Sequence, residues 1–351
     1  MSITNLKQQT TKKPLRVLVV TGVYPTGQRP HAGTFIKSQV DSLIASGLEI
    51  EVIHPKAGPV LLRYAVATMQ VFLKTLTGRF DVVHGHYGQW CLIARLQWAT
   101  PVVASFLGDD LLGTVTTNGG YSNTSRLLVR LNRWLCHRVD AVIVKSGEMK
   151  RTIRGGGSIF VIPNGVDFEL FHPIPRASAR LVLGWDQDRC YVLFGNDSKI
   201  PVKNFSLAQA AIERLQSRGV SAELVVANGL PQAKLVQYIN ASNALILTSI
   251  AEGSPNIVKE TMGCNVPVVS TDVGDVFQVI GRTRGCSVCP HDPDALAAAL
   301  EQAVRHTEPT TGRTDIMHLD RSVVAKQVIS VYEQVISKKA KGEGEPSLQY
   351  L

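Results

Sequence analysis

Two glutamates, Glu252 and Glu260, stand either side of a break between an apolar run and a second periodic segment. Ala244–Thr248 reads as a buried strand and Ile257–Met262 as a helix. Between them Ser254 is a good N-cap, and Pro255 falls at the first helical position, where a missing N–H costs nothing. The unpaired first-turn amides of Asn256 and Ile257, together with the helix dipole, make an anion site. Glu252 lies in the loop ahead of this helix, and Glu260 about one and a half turns inside it. One carboxylate at the mouth, another deeper and free amides between them suit a ligand that is anionic in the middle and hydroxylated at both ends. A nucleotide diphosphate sugar is such a ligand.

That spacing, with Gly253 after the first glutamate, resembles the E-x7-E motif of the retaining glycosyltransferases of family 4, which have the GT-B fold. The strand before, the capped helix after and the segment Asn265–Gly274 that follows strengthen the match, which spans roughly residues 15–337 and is densest from Asn243 to Asp275. The resemblance implies an α/β chain with two Rossmann-like doubly wound domains and a cleft between them. Residues 14–170 would bind the acceptor and 171–320 the nucleotide sugar. A helix over 321–337 would return to the first domain, with polar tails at 1–13 and 338–351. The implied reaction moves a sugar, with retention, from a UDP- or GDP-sugar to a hydroxyl of a lipid-linked or saccharide acceptor, as in bacterial envelope or exopolysaccharide biosynthesis. Glu252 would then contact the donor sugar and Glu260 the ribose, with Gly253, Ser254, Asn256 and Ile257 lining the same site. Two alternatives stay open: a GT-B nucleotide-sugar epimerase, and a non-catalytic GT-B scaffold subunit.

Further chemistry gathers at the end of another strand, Cys190–Gly195. The loop Asn196–Phe205 carries Lys199 and Lys203 ahead of a helix over Leu207–Arg218, an arrangement suited to clamping a diphosphate. It resembles the family's Arg/Lys pair, but its spacing differs from R-x4-K, and Lys203 is the firmer match. Neutralising a departing diphosphate is then the main catalytic task, and it needs no metal cofactor. Asp186-Gln187-Asp188 and Asp292-Pro293-Asp294 have DxD-like spacing, but each sits beside a strand or helix start, where acidic residues serve as simple caps.

The elements that must position these groups begin with Arg16–Thr21, a short β-branched strand. A Gly-containing loop, a helix over Thr34–Ser46 and a strand over Glu49–His54 follow, the opening unit of a doubly wound fold. The loop lacks G-x-G-x-x-G, which argues against a dinucleotide cofactor. Its Gly33 is the position that the resemblance turns toward donor phosphate or acceptor. Asp81–Gly88 and Pro101–Asp110 are strands running into loops on the side where open α/β sheets bind ligands; the resemblance implies that His86 lies on the acceptor side, with Asp109 or Asp110 contacting the acceptor. His84 and His86 lack a third partner for zinc. Leu107 stands where many relatives carry histidine. Val60–Leu76 is apolar enough to lie on a membrane, although a helix covering a sheet has the same pattern and is the preferred reading. Phe160–Asp167 resembles the P-N-G-V-D segment that leads into the family's second domain.

With 351 residues, 44% of them hydrophobic, the chain can build two α/β domains of ordinary size. No run approaches the ~18 apolar residues of a spanning helix, and the polar start is no signal peptide. Six scattered cysteines fit reduced thiols in a cytoplasmic protein. The net charge of +9 is unevenly placed: residues 1–170 hold 19 Lys+Arg against 10 Asp+Glu, whereas 171–351 hold 18 of each. A basic first half suits a phosphate-bearing acceptor or the anionic inner face of a membrane, where the protein would sit peripherally. No nucleic-acid-binding motif accompanies the charge.

Overall fold

The computed structural model describes residues 13–29, 31–55, 58–114, 120–155, 157–306 and 308–342. The tail expected over 1–13 falls almost wholly outside these residues, as does the stretch of 338–351 beyond 342. Among the described residues the strands form two parallel sheets. The first contains β1 (Arg16–Thr21), β2 (Glu49–Ile53), β3 (Val82–His86), β4 (Val102–Ser105), β5 (Ala141–Val144) and β6 (Ser158–Val161), in the order β2-β1-β3-β4-β5-β6. The second contains β7 (Cys190–Phe194), β8 (Ala222–Val226), β9 (Ala244–Leu247), β10 (Val268–Thr271) and β11 (Ser287–Cys289), in the order β11-β10-β9-β7-β8. Inner strands such as β4, β5, β9 and β10 are buried along their whole length, because helices cover both faces of each sheet.

Alternate residues feed opposite cores. Leu18 and Val20 of β1 point into one cluster, Val17 and Val19 into another, and Leu193 and Val192 of β7 divide in the same way. The strand order reverses between β1 and β3 in the first sheet and between β7 and β9 in the second. Parallel strands carry all their carboxy ends on one side, and the loops diverging at each reversal leave a crevice there.

The helix Arg321–Ala340 belongs to the core of the first sheet, not the second. It packs Val324, Ala325, Val328, Val331, Tyr332 and Val335 against residues of β1, β4 and β5. It extends three residues past 337, the end expected from its valine spacing. Where the chain passes between the sheets, Val166 N donates to Leu319 O (2.8 Å) and Arg321 N to Val166 O (2.9 Å), so the outgoing and returning segments are tied together. The helices Gly88–Arg95 and Arg176–Leu183 are additions to the sequence-based expectation.

One polar contact anchors the returning helix. His84 of β3 bonds Tyr332 Oη through Nδ1 (2.6 Å) and Ser105 Oγ through Nε2 (2.7 Å), and burial keeps the imidazole neutral by pushing its pKa well below the ordinary value. Tyr332→Phe strands one ring nitrogen in a dry environment, at a cost of about 1–3 kcal/mol. Denaturant unfolding should show this loss; an unchanged midpoint would mean that the helix is held by packing alone.

Candidate active site

A cleft of about 850 Å³ opens between the carboxy ends of the two sheets. Its lining comes from both strand-order reversals: Val23 and Tyr87 follow β1 and β3, while Gly195, Asn196 and Glu252 follow β7 and β9. Lys203, Gly253, Ser254, Asn256, Ile257 and Glu260 line it too, so most of the residues singled out by sequence converge here.

Lys203 ends a short 3-10 turn, Pro201–Lys203, and its placement is enforced by backbone contacts with the neighbouring loop. Ile250 N donates to Val202 O (2.8 Å), and Thr248 Oγ1 reaches the carbonyls of Lys203 (3.0 Å) and Asn204 (2.9 Å). Lys203 Nζ then donates to Glu252 Oε1 at 2.6 Å, and Ser249 Oγ donates to the same oxygen at 2.7 Å. Asn196 Nδ2, also in the lining, is buried without a hydrogen-bond partner.

The helix beyond runs over Asn256–Gly263, with Pro255 as its N-cap residue and no side-chain cap. The expectation that Ser254 caps it is corrected by the geometry. Ser254 Oγ donates to Asp275 Oδ2 (2.6 Å) and accepts from Lys259 Nζ (2.6 Å), so it is drawn away from the first-turn amides. Among the described residues no side chain caps those amides. Lys259 is fully buried behind them and also donates to Asn164 O at 3.1 Å. Burial lowers its pKa, while Asp275 and Glu260 nearby favour the charged form. Glu260, one face along the same helix, has its pKa pushed up to about 7 by desolvation, which the charge of Lys259 only partly offsets.

Four sequence-selected residues behave differently. Lys199 is exposed, caps a turn through its N–H to Asp197 Oδ1 (2.9 Å), and does not reach the cleft lining. His86 is 2% exposed at the end of β3, stacked 4.1 Å from the His84 ring, with burial pushing its pKa down to about 3; its neighbour Tyr87 reaches the cleft instead. His86 is the last residue of the strand, whereas Tyr87 lies just past it at φ 76°, where the chain leaves the extended backbone and turns into the next helix. Gly33 adopts φ 70° and packs on the Val23 backbone, so it shapes the loop, and His31, Thr34 and Phe35 supply the lining. Asp109 accepts from Tyr87 Oη (2.6 Å) and lines a smaller adjoining pocket of about 280 Å³, which shares Leu107, Ile200, Lys203, Glu252 and Gly253 with the main cleft.

Sequence reasoning missed the cation layer and the linker. Lys145 at the end of β5 is 2% exposed, and its Nζ contacts only Ile162 O at 3.4 Å among the described residues. Burial, with the charge of Lys259 adding to it, pushes its pKa down to about 7. Asn164 links the domains: its Nδ2 donates to Asn256 Oδ1 at 3.1 Å.

Two parallel α/β domains whose strand ends face each other across a ligand-sized cleft constitute the GT-B fold. Residues 2–170 match the family model described as Glycosyltransferase Family 4, and residues 187–306 match the one described as Glycosyl transferases group 1; the chain belongs to this glycosyltransferase family. A Bacillus subtilis protein described as a teichuronic acid biosynthesis glycosyltransferase, TuaC, is 23% identical over 349 residues, covering 82% of this chain and 88% of that protein. A D-inositol 3-phosphate glycosyltransferase of Nocardiopsis dassonvillei is 26% identical over 267 residues, 64% of this chain and 62% of that protein. Among solved structures, sucrose-phosphate synthase from Thermosynechococcus elongatus superposes with a TM-score of 0.71 at 19% identity, covering 93% of this chain and all of that one. Anabaena HepE in complex with UDP-glucose gives 0.58 at 16% identity, with 93% of this chain and all of that one covered.

The two domains approach each other closely at Gly253. A Cβ placed there would lie 2.1 Å from Leu107 O. Gly253→Ala must therefore push the Leu107–Gly108 loop away, at a cost of about 1–3 kcal/mol if the domains stay closed. A lowered unfolding temperature, or an increased radius of gyration in X-ray scattering, is the expected outcome; no change in either would refute closure at this point.

Proposed function

We propose that this chain is a retaining glycosyltransferase that takes a nucleotide diphosphate sugar, UDP- or GDP-linked, and transfers its sugar to a hydroxyl of a lipid-linked or saccharide acceptor. The observation that carries this reading is the line formed by Glu252, the uncapped amides of Asn256 and Ile257, and Glu260 along one wall of the cleft, with Lys203 at its carboxylate end. Glu260 accepts from the ribose hydroxyls. The first-turn amides and the unpartnered Asn196 amide meet the diphosphate, backed by buried Lys259 and the helix dipole. Glu252 holds hydroxyls of the donor sugar.

As the bond between the anomeric carbon and the diphosphate oxygen breaks, negative charge grows on that oxygen, and the Lys203 ammonium lies next to it. The acceptor oxygen bonds the anomeric carbon on the same face, and its proton passes to the departing diphosphate. Lys203 supplies the electrostatic stabilisation that favours this transition state. A metal is not needed in this scheme, so a chelator should leave nucleotide binding unchanged. That Anabaena HepE is described with UDP and UDP-glucose, and that TuaC is described as acting in teichuronic acid biosynthesis, supports a nucleotide-sugar donor and an envelope-type acceptor. We place the enzyme in the cytoplasm, peripherally at the inner face of the membrane.

Thermal unfolding against UDP-, GDP- and ADP-sugars tests the donor site. A ligand at about 100 times its dissociation constant adds about 2.7 kcal/mol to the folded state. Stabilisation by one base is expected for the wild type; stabilisation by none would overturn the reading. Glu252→Ala should keep nucleotide binding yet lower transfer by about 100-fold or more. A fully active Glu252→Ala enzyme removes its catalytic role, and consumption of the donor without an acceptor would indicate an epimerase.

The pH dependence follows from Glu260. Ribose hydroxyls donate to the ionised carboxylate, so binding favours the deprotonated form and releases a proton. With a free-protein pKa of about 7, affinity should rise about tenfold between pH 6 and pH 8 through this group. Titration calorimetry at several pH values checks it, with Glu260→Gln expected to abolish that component; an identical pH profile in the variant would exclude the ribose role.

A further inference from the structure

The helix Val60–Leu76 presents two apolar sides, of which the protein uses one. Ala67, Val71 and Thr75 are buried, with Tyr64 packed beside them on the core of the first sheet. Leu61, Leu62, Val66, Met69, Phe72, Leu73 and Leu76 face outward, with Leu61 81% and Leu76 62% exposed. At 100° per residue these seven fall within an arc of about 140° opposite the buried stripe, and that arc contains no charge. The expectation that this helix merely covers the sheet explains only its inner face.

The surface continues across two more helices. Gly88–Arg95 packs between Val60–Leu76 and the helix Asn123–Leu135, so the three form one layer on the same side of the sheet. The outer side of Asn123–Leu135 carries Leu127 and Trp134, both exposed, beside a stripe of Arg126, Arg130 and Arg133. Across the three helices there are six Arg or Lys residues (Arg63, Lys74, Arg95, Arg126, Arg130, Arg133) and no Asp or Glu. Lys74 pairs with Glu51 beside this surface, and Arg63, Arg95 and Arg133 donate to backbone carbonyls, which leaves exposed Arg126 and Arg130 to extend toward phosphates while their stems stay apolar. An apolar ridge beside such cations matches the interfacial zone of an anionic bilayer.

We propose that this three-helix layer is the surface by which the protein docks on an anionic lipid bilayer, with the outer face of Val60–Leu76 inserted among the acyl chains. Arg63 near the start of that helix donates to Gly22 O (3.2 Å), immediately before the cleft-lining Val23, so the docked helix begins at the cleft rim. A lipid-borne acceptor would then reach the cleft without leaving the bilayer. The proposal deepens the peripheral-membrane reading above and rests on it; nucleotide binding is independent of both.

Flotation of the full chain with vesicles of phosphatidylglycerol and phosphatidylcholine in about equal parts tests it. Wild type should float with these vesicles, weakly with pure phosphatidylcholine, and less as salt is raised. Met69→Glu/Leu73→Glu changes two exposed positions and should abolish flotation while leaving the unfolding temperature and nucleotide-sugar binding unchanged. Arg126→Gln/Arg130→Gln should weaken partitioning by about thirtyfold, from ~1 kcal/mol for each cation near the surface. Flotation of wild type but equally of both variants would place docking elsewhere and overturn this surface while sparing the membrane reading. No flotation of wild type would overturn both, with nucleotide binding still standing. Loss of a wild-type dimer in the Met69→Glu/Leu73→Glu variant, without vesicle binding by either, would assign the face to a second copy and refute the lipid proposal.

Discussion

The cleft depends on a contact between two backbones. Leu107 O lies where a side chain on Gly253 would have to go, and Gly108 packs against the Gly253 backbone from the same loop. Bare backbone at this point lets the strand-end loop of the first sheet close on the loop that holds Glu252. The Lys203–Glu252 pair consequently lies at the boundary shared by the large and small pockets, where a donor on one side and an acceptor on the other would meet. Parallel topology makes such a meeting possible: every strand end of a sheet faces the same way, so two sheets set face to face bring both sets of loops into one space.

Electrostatics in that space are arranged in depth. The front carries a nearly enclosed lysine–glutamate pair, and the layer behind carries Lys259 and Lys145, both buried, with Asp275 reached through Ser254. Buried ammonium groups are costly unless hydrogen-bonded, and Lys259 is satisfied by Ser254 and Asn164. Diverting the Ser254 hydroxyl to this task leaves the first-turn amides without a side-chain cap. A cap would satisfy the same N–H groups that an anion needs. The site thus gives up local helix stability, of the order of 1 kcal/mol for a missing cap, and retains an anion-binding end.

Legibility in the sequence followed the range of the interaction concerned. Strands such as β1, β5 and β9 and the helix Val60–Leu76 are set by local apolar pattern and were readable, as was the GT-B resemblance carried by Glu252 and Glu260. Residues whose orientation depends on register or on distant chain were not. His86 and Tyr87 are adjacent, but His86 is held in β3 beside His84 while Tyr87 leaves the strand at positive φ, a change of backbone that the local pattern does not announce. Lys199 and Lys203 looked alike as loop lysines, but the bonds from Ile250 and Thr248 hold one inward and leave the other outside. Ser254 looked like a cap because Asp275 and Lys259, its actual partners, approach only in three dimensions. The buried pair Lys145 and Lys259 has no sequence signature, since each comes from a different domain.

The two halves of the chain divide the physical work in a way that their charges already reflect. The second domain, neutral overall, turns the unpartnered Asn196 amide and the uncapped end of the helix Asn256–Gly263 toward the cleft wall. The first domain carries the entire positive excess, yet among the described residues none of its lysines or arginines lines the cleft. Six of its cations lie instead in three helices free of acidic residues, beside apolar side chains that the fold leaves uncovered, while Lys145 is buried behind the cleft. A surplus of charge required by the active chemistry would be expected at the site itself. Part of it lies instead in this layer, joined to the cleft through the Arg63–Gly22 contact, so the charged helices of the first sheet and the Glu252–Glu260 wall of the second border the same cleft.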